Sequence, residues 1–332
     1  MATVELSIDL GSKFITIFQK GIGPVLREPA FAIATKVRNR LEIREAGYRA
    51  QSIMSGSLGG AKIISPIKEG VVVDEEMAAM ILKYFLNKIL PKTFIAPRIK
   101  AIVSICSSSS GSERRAVEKC CLKAGIKEVT LVESPLSLLA YTGSIGGLFL
   151  DIGGGKTEIS AVTNRGIAAG CSVNIAGDAF NNAIIDNLYM HYGVKVGEYT
   201  IENLKKSALS FYTNDEGSYA VSGGGSKGSP KSLIVTAKDM RDAVIPLVDD
   251  LIEVIMSVLN QTPPELAAEI LRKGIFVTGG SLHIPGLLEY LERALELPVT
   301  PLRDGENSVA IGGAKFFDNK ELLGDMLGVR LN

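Results

Sequence analysis

Apolar and polar positions alternate from the start of the chain. Val4, Leu6, Ile8 and Leu10 are separated by Glu5, Ser7 and Asp9, the period-two pattern of a strand with one covered face. Gly11-Ser12-Lys13 then supplies a turn and Phe14 to Phe18 resumes a β-rich run, which predicts a hairpin with an aspartate at its mouth. The device recurs: Leu148 to Ile152 is a short apolar strand, Gly153-Gly154-Gly155 turns the chain, and Thr157 to Val162 runs back. Asp151 therefore stands where Asp9 stood, each followed by x-Gly, and the repetition predicts two related halves facing each other across a cleft. A third glycine turn, Thr278-Gly279-Gly280-Ser281, follows the apolar strand Ile275-Phe276-Val277.

Between these loops the period becomes helical. Asp74 to Leu90 places Ile81, Tyr84, Phe85 and Ile89 on one face, the face expected to cover a sheet. Lys238 to Asn260 carries a stripe of Met240, Val244, Leu247, Val248, Leu251, Ile255, Val258 and Leu259, and stops before Pro263-Pro264, as prolines dictate. Gly217 to Pro230 is rich in glycine and serine and reads as a mobile loop inside a small subdomain.

The chain has 332 residues, 46% of them hydrophobic, enough for about two domains with real cores. Lys+Arg and Asp+Glu both number 36, so no overall field draws the chain to nucleic acid, and a nucleic-acid partner is not expected. The cysteines at 106, 120, 121 and 171 have neither zinc-site nor disulfide-framework spacing and read as reduced cytoplasmic thiols. No stretch reaches the ~18–20 apolar residues of a membrane span, and Met1 to Leu10 lacks a signal-peptide core. A cytoplasmic protein is expected, at most attached to the inner face of the plasma membrane. His191 and His283 are too far apart in context to form a metal pair, and Arg114 and Arg115 read as solvated helix residues.

Glycine turns suit a polyphosphate, because its oxygens need backbone N–H donors at close range and no Cβ blocks the approach. Gly11-Ser12-Lys13 and Gly153 to Lys156 both qualify. Magnesium in such sites keeps most of its waters and is held by one or two carboxylates and the phosphates, so Asp9 and Asp151 at the strand ends are suitable ligands. A GxxxxGK[ST] loop is absent, since DIGGGKT leads into a returning strand and not a helix, and no dinucleotide fingerprint follows a strand.

These residues also resemble a family: the actin, Hsp70 and sugar kinase ATPases, and within them MreB. IDLG at Ile8 to Gly11 resembles the first phosphate loop, DIGGGKTE at Asp151 to Glu158 the second, and GIFVTGGSLHIPGL at Gly274 to Leu287 the adenosine loop. The MreB-like segments are EPA at Glu28 to Ala30, SERRA at Ser112 to Ala116, IAGDAFNNAI at Ile175 to Ile184, GEYTIENLKK at Gly197 to Lys206 and TPPELAAEI at Thr262 to Ile270. The resemblance implies an α/β, actin-like fold: two lobes with duplicated mixed sheets flanked by helices, a nucleotide cleft between them, and four subdomains. By motif these are IA (1–32, 67–145 and 318–332), IB (33–66), IIA (146–182 and 246–317) and IIB (183–245).

It further implies an ATP/ADP site with magnesium. Asp9, Gly11, Ser12 and Lys13 would hold phosphate and metal from one side, and Asp151, Gly153, Gly154, Gly155 and Lys156 from the other. Gly177 and Asp178 fall in the IAGDAF segment, Gly279, Gly280 and Ser281 would border the adenosine, and Lys205 and Lys206 match a helix beside the adenine, although paired lysines read equally well as a solvated face. Two departures bear on hydrolysis. The family's water-facing glutamate before a proline is Ser134 here, with Glu133 matching a different family position, and a threonine after the triple glycine is Lys156. An ammonium has three donors and no acceptor, so tight binding with slow ATP turnover is expected; Ser207 also stands where the family has a glutamate.

ILPKTFIAPRIK at Ile89 to Lys100 resembles the apolar loop MreB uses to touch membranes, with Phe94 and Ile95 at its tip and Lys92, Arg98 and Lys100 facing headgroups; packing beneath the preceding helix is the competing reading. The resemblance implies a divergent MreB paralogue that polymerises with itself into double or antiparallel protofilaments, or with other MreB paralogues, in cell shape or motility. The alternative is a small-molecule kinase or soluble ATPase of the same superfamily.

Overall fold

The computed structural model describes residues 2–38, 40–53, 61–91, 96–225 and 229–327. Ten strands form two five-stranded sheets. The first contains β1 (Thr3–Leu10), β2 (Phe14–Gln19), β3 (Gly23–Pro29), β4 (Arg98–Ile105) and β5 (Glu128–Glu133), in the order β5-β4-β1-β2-β3. The second contains β6 (Gly146–Ile152), β7 (Thr157–Thr163), β8 (Gly166–Val173), β9 (Ile275–Thr278) and β10 (Val299–Pro301), in the order β10-β9-β6-β7-β8. Read strand for strand, the two orders are the same, which is the duplication that the twin Asp-x-Gly hairpins predict. In each sheet the strand that carries the aspartate is central, with a hairpin partner on one side and parallel strands, reached by helical crossovers, on the other.

The chain divides into two compact units, Met1–Gly147 with Val162–Ser172 and Glu306–Asn332, and Leu148–Ala161 with Val173–Gly305. In the first, the alternating residues of β1 and β2 bury Leu6, Ile8, Ile15 and Ile17 against helices Glu75–Ile89 and Gly111–Ala124, which contribute Ile81, Leu82, Phe85, Leu86, Cys120 and Cys121. Full burial of each such Leu, Ile or Phe contributes about 1.5–3 kcal/mol. Both helices start where the sequence offers a cap: Asp74 accepts from Glu76 N and Met77 N, and Ser110 forms a capping box with Glu113.

In the second unit, Phe149 and Phe276 stack with ring centroids 5.6 Å apart. Helix Ala237–Gln261 buries Met240, Val244, Val248, Leu251, Ile255 and Val258, so the predicted stripe is the packed face. It opens with a capping box between Thr236 and Asp239. The expectation of a loop over Gly217–Pro230 is corrected, apart from 226–228, which lie outside the described residues: Ser218–Gly225 is a strand paired antiparallel with Pro230–Thr236, from Ser218↔Thr236 to Gly224↔Pro230. Glycine and serine composition suggested a loop, but a partner strand rich in Leu, Ile and Val supplies the apolar residues the glycines lack, and Val221 and Val235 close a buried face.

Candidate functional site

The first loop follows β1. Asp9 lies opposite Thr16 of β2 and Ser104 of β4, so its carboxylate emerges at the end of the sheet's central strand. A Cβ on Gly11 would sit 2.7 Å from the Phe14 carbonyl oxygen, which reserves the turn for glycine. Ser12 Oγ accepts from Gly70 N at 2.7 Å, so the hydroxyl keeps its own proton to donate. Lys13 is exposed and its carbonyl accepts from Ala30 N at 2.8 Å.

The second loop repeats this construction. Asp151 lies opposite Thr278 of β9, again a hydroxyl residue on the neighbouring parallel strand. A Cβ on Gly153 would sit 2.9 Å from Lys156 O, and Gly153 N donates to that oxygen at 3.1 Å. Gly154 is tied to the helix Gly177–Tyr192: Gly177 N donates to Gly153 O at 3.1 Å and Asp178 N to Gly154 O at 2.7 Å. These two backbone donors of the helix N-terminus are thus spent on the loop, and Gly177 and Asp178 hold its shape. Gly279, at φ +93°, abuts it from β9, since a Cβ there would meet Ile152 O at 2.4 Å and Asp151 Oδ1 at 2.6 Å. Ser281 is buried and makes a long contact, 3.5 Å, with Gly153 O, while Gly280 opens the short helix Gly280–His283.

The paired lysines separate. Lys205 is 8% exposed, and its ammonium donates to Gly177 O at 2.8 Å and to Glu202 Oε2 at 2.9 Å. Lys206 is largely exposed and reaches only the other oxygen of Glu202, at 3.0 Å. Glu202 also accepts from Asn181 Nδ2 at 2.8 Å. Burial alone pushes the Glu202 carboxyl up, but attraction to Lys205 and hydrogen bonds from Asn181, Lys205 and Lys206 outweigh it and bring the pKa down to about 2. Glu202 and Asn181 were not singled out from the sequence. The signal was there: Asn181 and Lys205 lie among the buried residues of their helices, with Phe180 and Ile184 and with Ile201, Leu204 and Ala208, and a polar residue on a buried stripe needs a partner.

The positions expected to govern hydrolysis lie at the end of β5. Ser134 is buried and its hydroxyl donates to Ile105 O at 3.1 Å. Glu133, just before it, binds Arg114 at 2.6 Å, and Arg114 Nε also donates to Ser109 O at 3.2 Å. The reading of Arg114 as merely solvated is therefore corrected: it neutralises the carboxylate next to Ser134. Lys156 is half-buried in the second loop.

Phe94 and Ile95 lie outside the described residues. Arg98 and Lys100, read as headgroup contacts, both pair with Glu128, at 2.7 and 3.0 Å. Among the described residues no helix is long and apolar enough to cross a membrane, and no group of three or more His, Cys, Asp or Glu could hold a metal ion directly.

Comparison with known proteins agrees with this architecture. The family model described as MreB/Mbl protein matches residues 3–324. The cell shape-determining protein MreB of Escherichia coli K12 is 30% identical over 98% of this chain and 96% of its own, and Mbl of Bacillus subtilis 31% identical over 96% and 97%. Among solved structures, MreB5 of Spiroplasma citri bound to AMPPNP superposes with a TM-score of 0.87 at 25% identity, covering 99% of this chain and 100% of that one. A double helical MamK filament shares the fold, with a TM-score of 0.81 at 18% identity over 96% and 99% of the two chains. With the family matched over nearly its whole length and the actin-like sheet duplicated strand for strand, this chain belongs to the MreB/Mbl family.

Proposed function

We propose that this chain binds ATP and assembles with further copies of itself into cytoskeletal filaments of the cell-shape or motility kind, hydrolysing the nucleotide slowly. The observation that carries the reading is the twin loop, in which an aspartate ends the central strand and a glycine two positions on leaves no room for a side chain. Asp9, Gly11, Ser12 and Lys13 would serve the phosphates together with Asp151 and Gly153–Gly155, and the adenosine would lie along Lys205, Gly279, Gly280 and Ser281. The glycine cradles fit such a ligand, since a Cβ at 11 or 153 would collide with a backbone carbonyl. Magnesium, held through water by Asp9 and Asp151, would neutralise phosphate charge. MreB5 of Spiroplasma citri has been seen with AMPPNP and with ADP, which supports nucleotide binding here. The assembly extends to the inner face of the membrane through Phe94 and Ile95, and to other MreB copies.

Slow turnover would follow from the residues that the resemblance assigns to the reacting phosphate. A hydrolytic water needs an acceptor to orient it and take its proton. Ser134, held by its bond to Ile105 O, offers only a hydroxyl oxygen, which can accept a hydrogen bond from water but is too weak a base to take its proton. Glu133 is held by Arg114, and a protonated Lys156 accepts nothing.

Phosphate release and sedimentation with Mg-ATP, measured together on the native chain and on Ser134→Glu, Lys156→Thr and the double variant, test this. The native chain is expected to pellet while releasing phosphate slowly, and the double variant to turn over about 10²-fold faster, the lower end of the range for a restored general base. Brisk release by the native chain would sink slow hydrolysis. Release without pelleting at any concentration would favour a soluble ATPase or kinase of the superfamily.

A further inference from the structure

Helix Ala237–Gln261 buries a charge within its apolar stripe. Arg241 is 7% exposed and stands between Met240 and Val244, one turn past the Thr236–Asp239 capping box that fixes where the helix begins. Among the described residues its guanidinium bonds to no carboxylate. Nη1 donates to Tyr212 O at 2.8 Å and to Ser210 O at 3.3 Å.

Those carbonyls belong to a short extended stretch, Leu209 to Tyr212, that leaves the end of helix Glu198–Ala208, with Leu209 N donating to Lys205 O at 3.1 Å. The carbonyls of residues 210 and 212 face one side of such a stretch, and the N–H of residue 211 faces the other. That side is also held: Phe211 N donates to Pro285 O at 2.7 Å, and Tyr212 Oη donates to Glu289 at 2.8 Å. Gly286, at φ +75°, lies so close that a Cβ there would be 2.9 Å from Tyr212 N. The stretch thus runs between Arg241 and the segment that continues from Gly279–Ser281. At its start is the helix that carries Lys205, and beside it is the Pro285–Gly286 turn, which closes the segment that opens with Gly279–Ser281.

We propose that Arg241 is a positioning residue for the adenosine: by gripping Ser210 O and Tyr212 O it fixes the spacing between the Lys205 helix and the Gly279–Ser281 turn. Both bonds come from one nitrogen, so a lysine ammonium could make only part of this contact from a less rigid chain, and an apolar residue would take the donor from Ser210 O and leave Tyr212 O with Asp215 N alone, at 3.2 Å. This inference rests on the nucleotide reading above. It adds that the selectivity for the adenosine portion is set by a residue that does not touch it.

The test is calorimetric titration of the native chain, Arg241→Met and Arg241→Lys, with ATP and with inorganic tripolyphosphate, at protein concentrations that stay in the supernatant. Arg241→Met is expected to weaken ATP about tenfold, the worth of one lost charged hydrogen bond, while tripolyphosphate changes less than about twofold. Arg241→Lys is expected to fall between native and Met for ATP alone. Equal ATP affinity in all three proteins would overturn the role, and so would equal losses for ATP and tripolyphosphate, the signature of a general structural defect. If Arg241→Met does not fold, Arg241→Lys decides on the same criterion. A native chain that binds neither ligand overturns the nucleotide reading itself, a result no behaviour of the variants can mimic.

Discussion

The two glycine loops begin from one plan and end in different surroundings. Both follow the central strand of a five-stranded sheet, both place an aspartate opposite a hydroxyl residue on a parallel neighbour, and both fold so tightly that a Cβ would strike a carbonyl three residues on. The first loop is then held by a side chain, Ser12, which accepts from Gly70 N, and by one backbone bond, from Ala30 N to Lys13 O. The second is held by backbone, through Gly177 N and Asp178 N on the carbonyls of Gly153 and Gly154, with Lys205 bracing Gly177 from behind. Duplication preserved the aspartate and the tight glycine turn after it, and the supports diverged. The second loop is accordingly the stiffer of the two, because helix N-terminal donors fixed by a sheet have no rotamers to lose.

The strongest way to break the comparison is to fill the cradles. Gly11→Ala and Gly153→Ala each force a carbonyl aside, at an expected cost of about 1–3 kcal/mol in stability, and each should weaken ATP at least tenfold. The contact is tighter at Gly11, 2.7 against 2.9 Å, but the first loop rests on a side-chain support that can shift. Gly153→Ala is therefore expected to be the more damaging in urea melts. Equal effects would mean that the supports do not matter.

Next in size is the brace on the second loop. The Glu202 pKa is lowered from 4.5 to about 2, so the folded state binds its proton more weakly than the unfolded chain. Its stabilisation is complete above about pH 4.5 and is lost as the pH falls through about 2. Glu202→Gln is expected to lose about 1–2 kcal/mol at pH 7, a figure lowered for its partial exposure. Native and variant stabilities should converge between pH 4.5 and 2. Curves that stay parallel through that window would show that the carboxylate charge is not what ties Lys205 and Asn181 together.

The duplication and the glycine loops were legible because they rest on local rules: period-two alternation, an aspartate at a strand end, glycine where a turn leaves no room. Helices Glu75–Ile89 and Ala237–Gln261 were legible for the same reason, and the latter accommodates Pro246 on its exposed side. What escaped was decided by partners distant in sequence. Lys205 and Lys206 are adjacent letters, and only the positions of Ile201, Leu204 and Ala208 tell which of them turns inward. Arg241 lies on the stripe that was read as purely apolar. The Ser218–Gly225 strand was hidden because its burial comes from residues across the ladder and not from its own composition. Arg114 was read as solvated because its partner, Glu133, lies on another element.

The smallest expected effect isolates the hydroxyl supports. Ser12 Oγ accepts a 2.7 Å bond from Gly70 N, whereas Ser281 Oγ makes only a 3.5 Å contact with Gly153 O. Removing the first leaves a backbone N–H that lies near solvent, so water takes over part of its loss and Ser12→Ala is expected to cost about 0.5–1 kcal/mol. Ser281→Ala should cost less than about 0.5 kcal/mol, since a contact at that length is hardly a hydrogen bond. Thermal melts of the two variants, with and without ATP, decide whether the side-chain support belongs to the first loop alone. If Ser281→Ala proves the costlier, the second loop also depends on a hydroxyl, and the contrast between a side-chain-held and a backbone-held loop fails at its most local point.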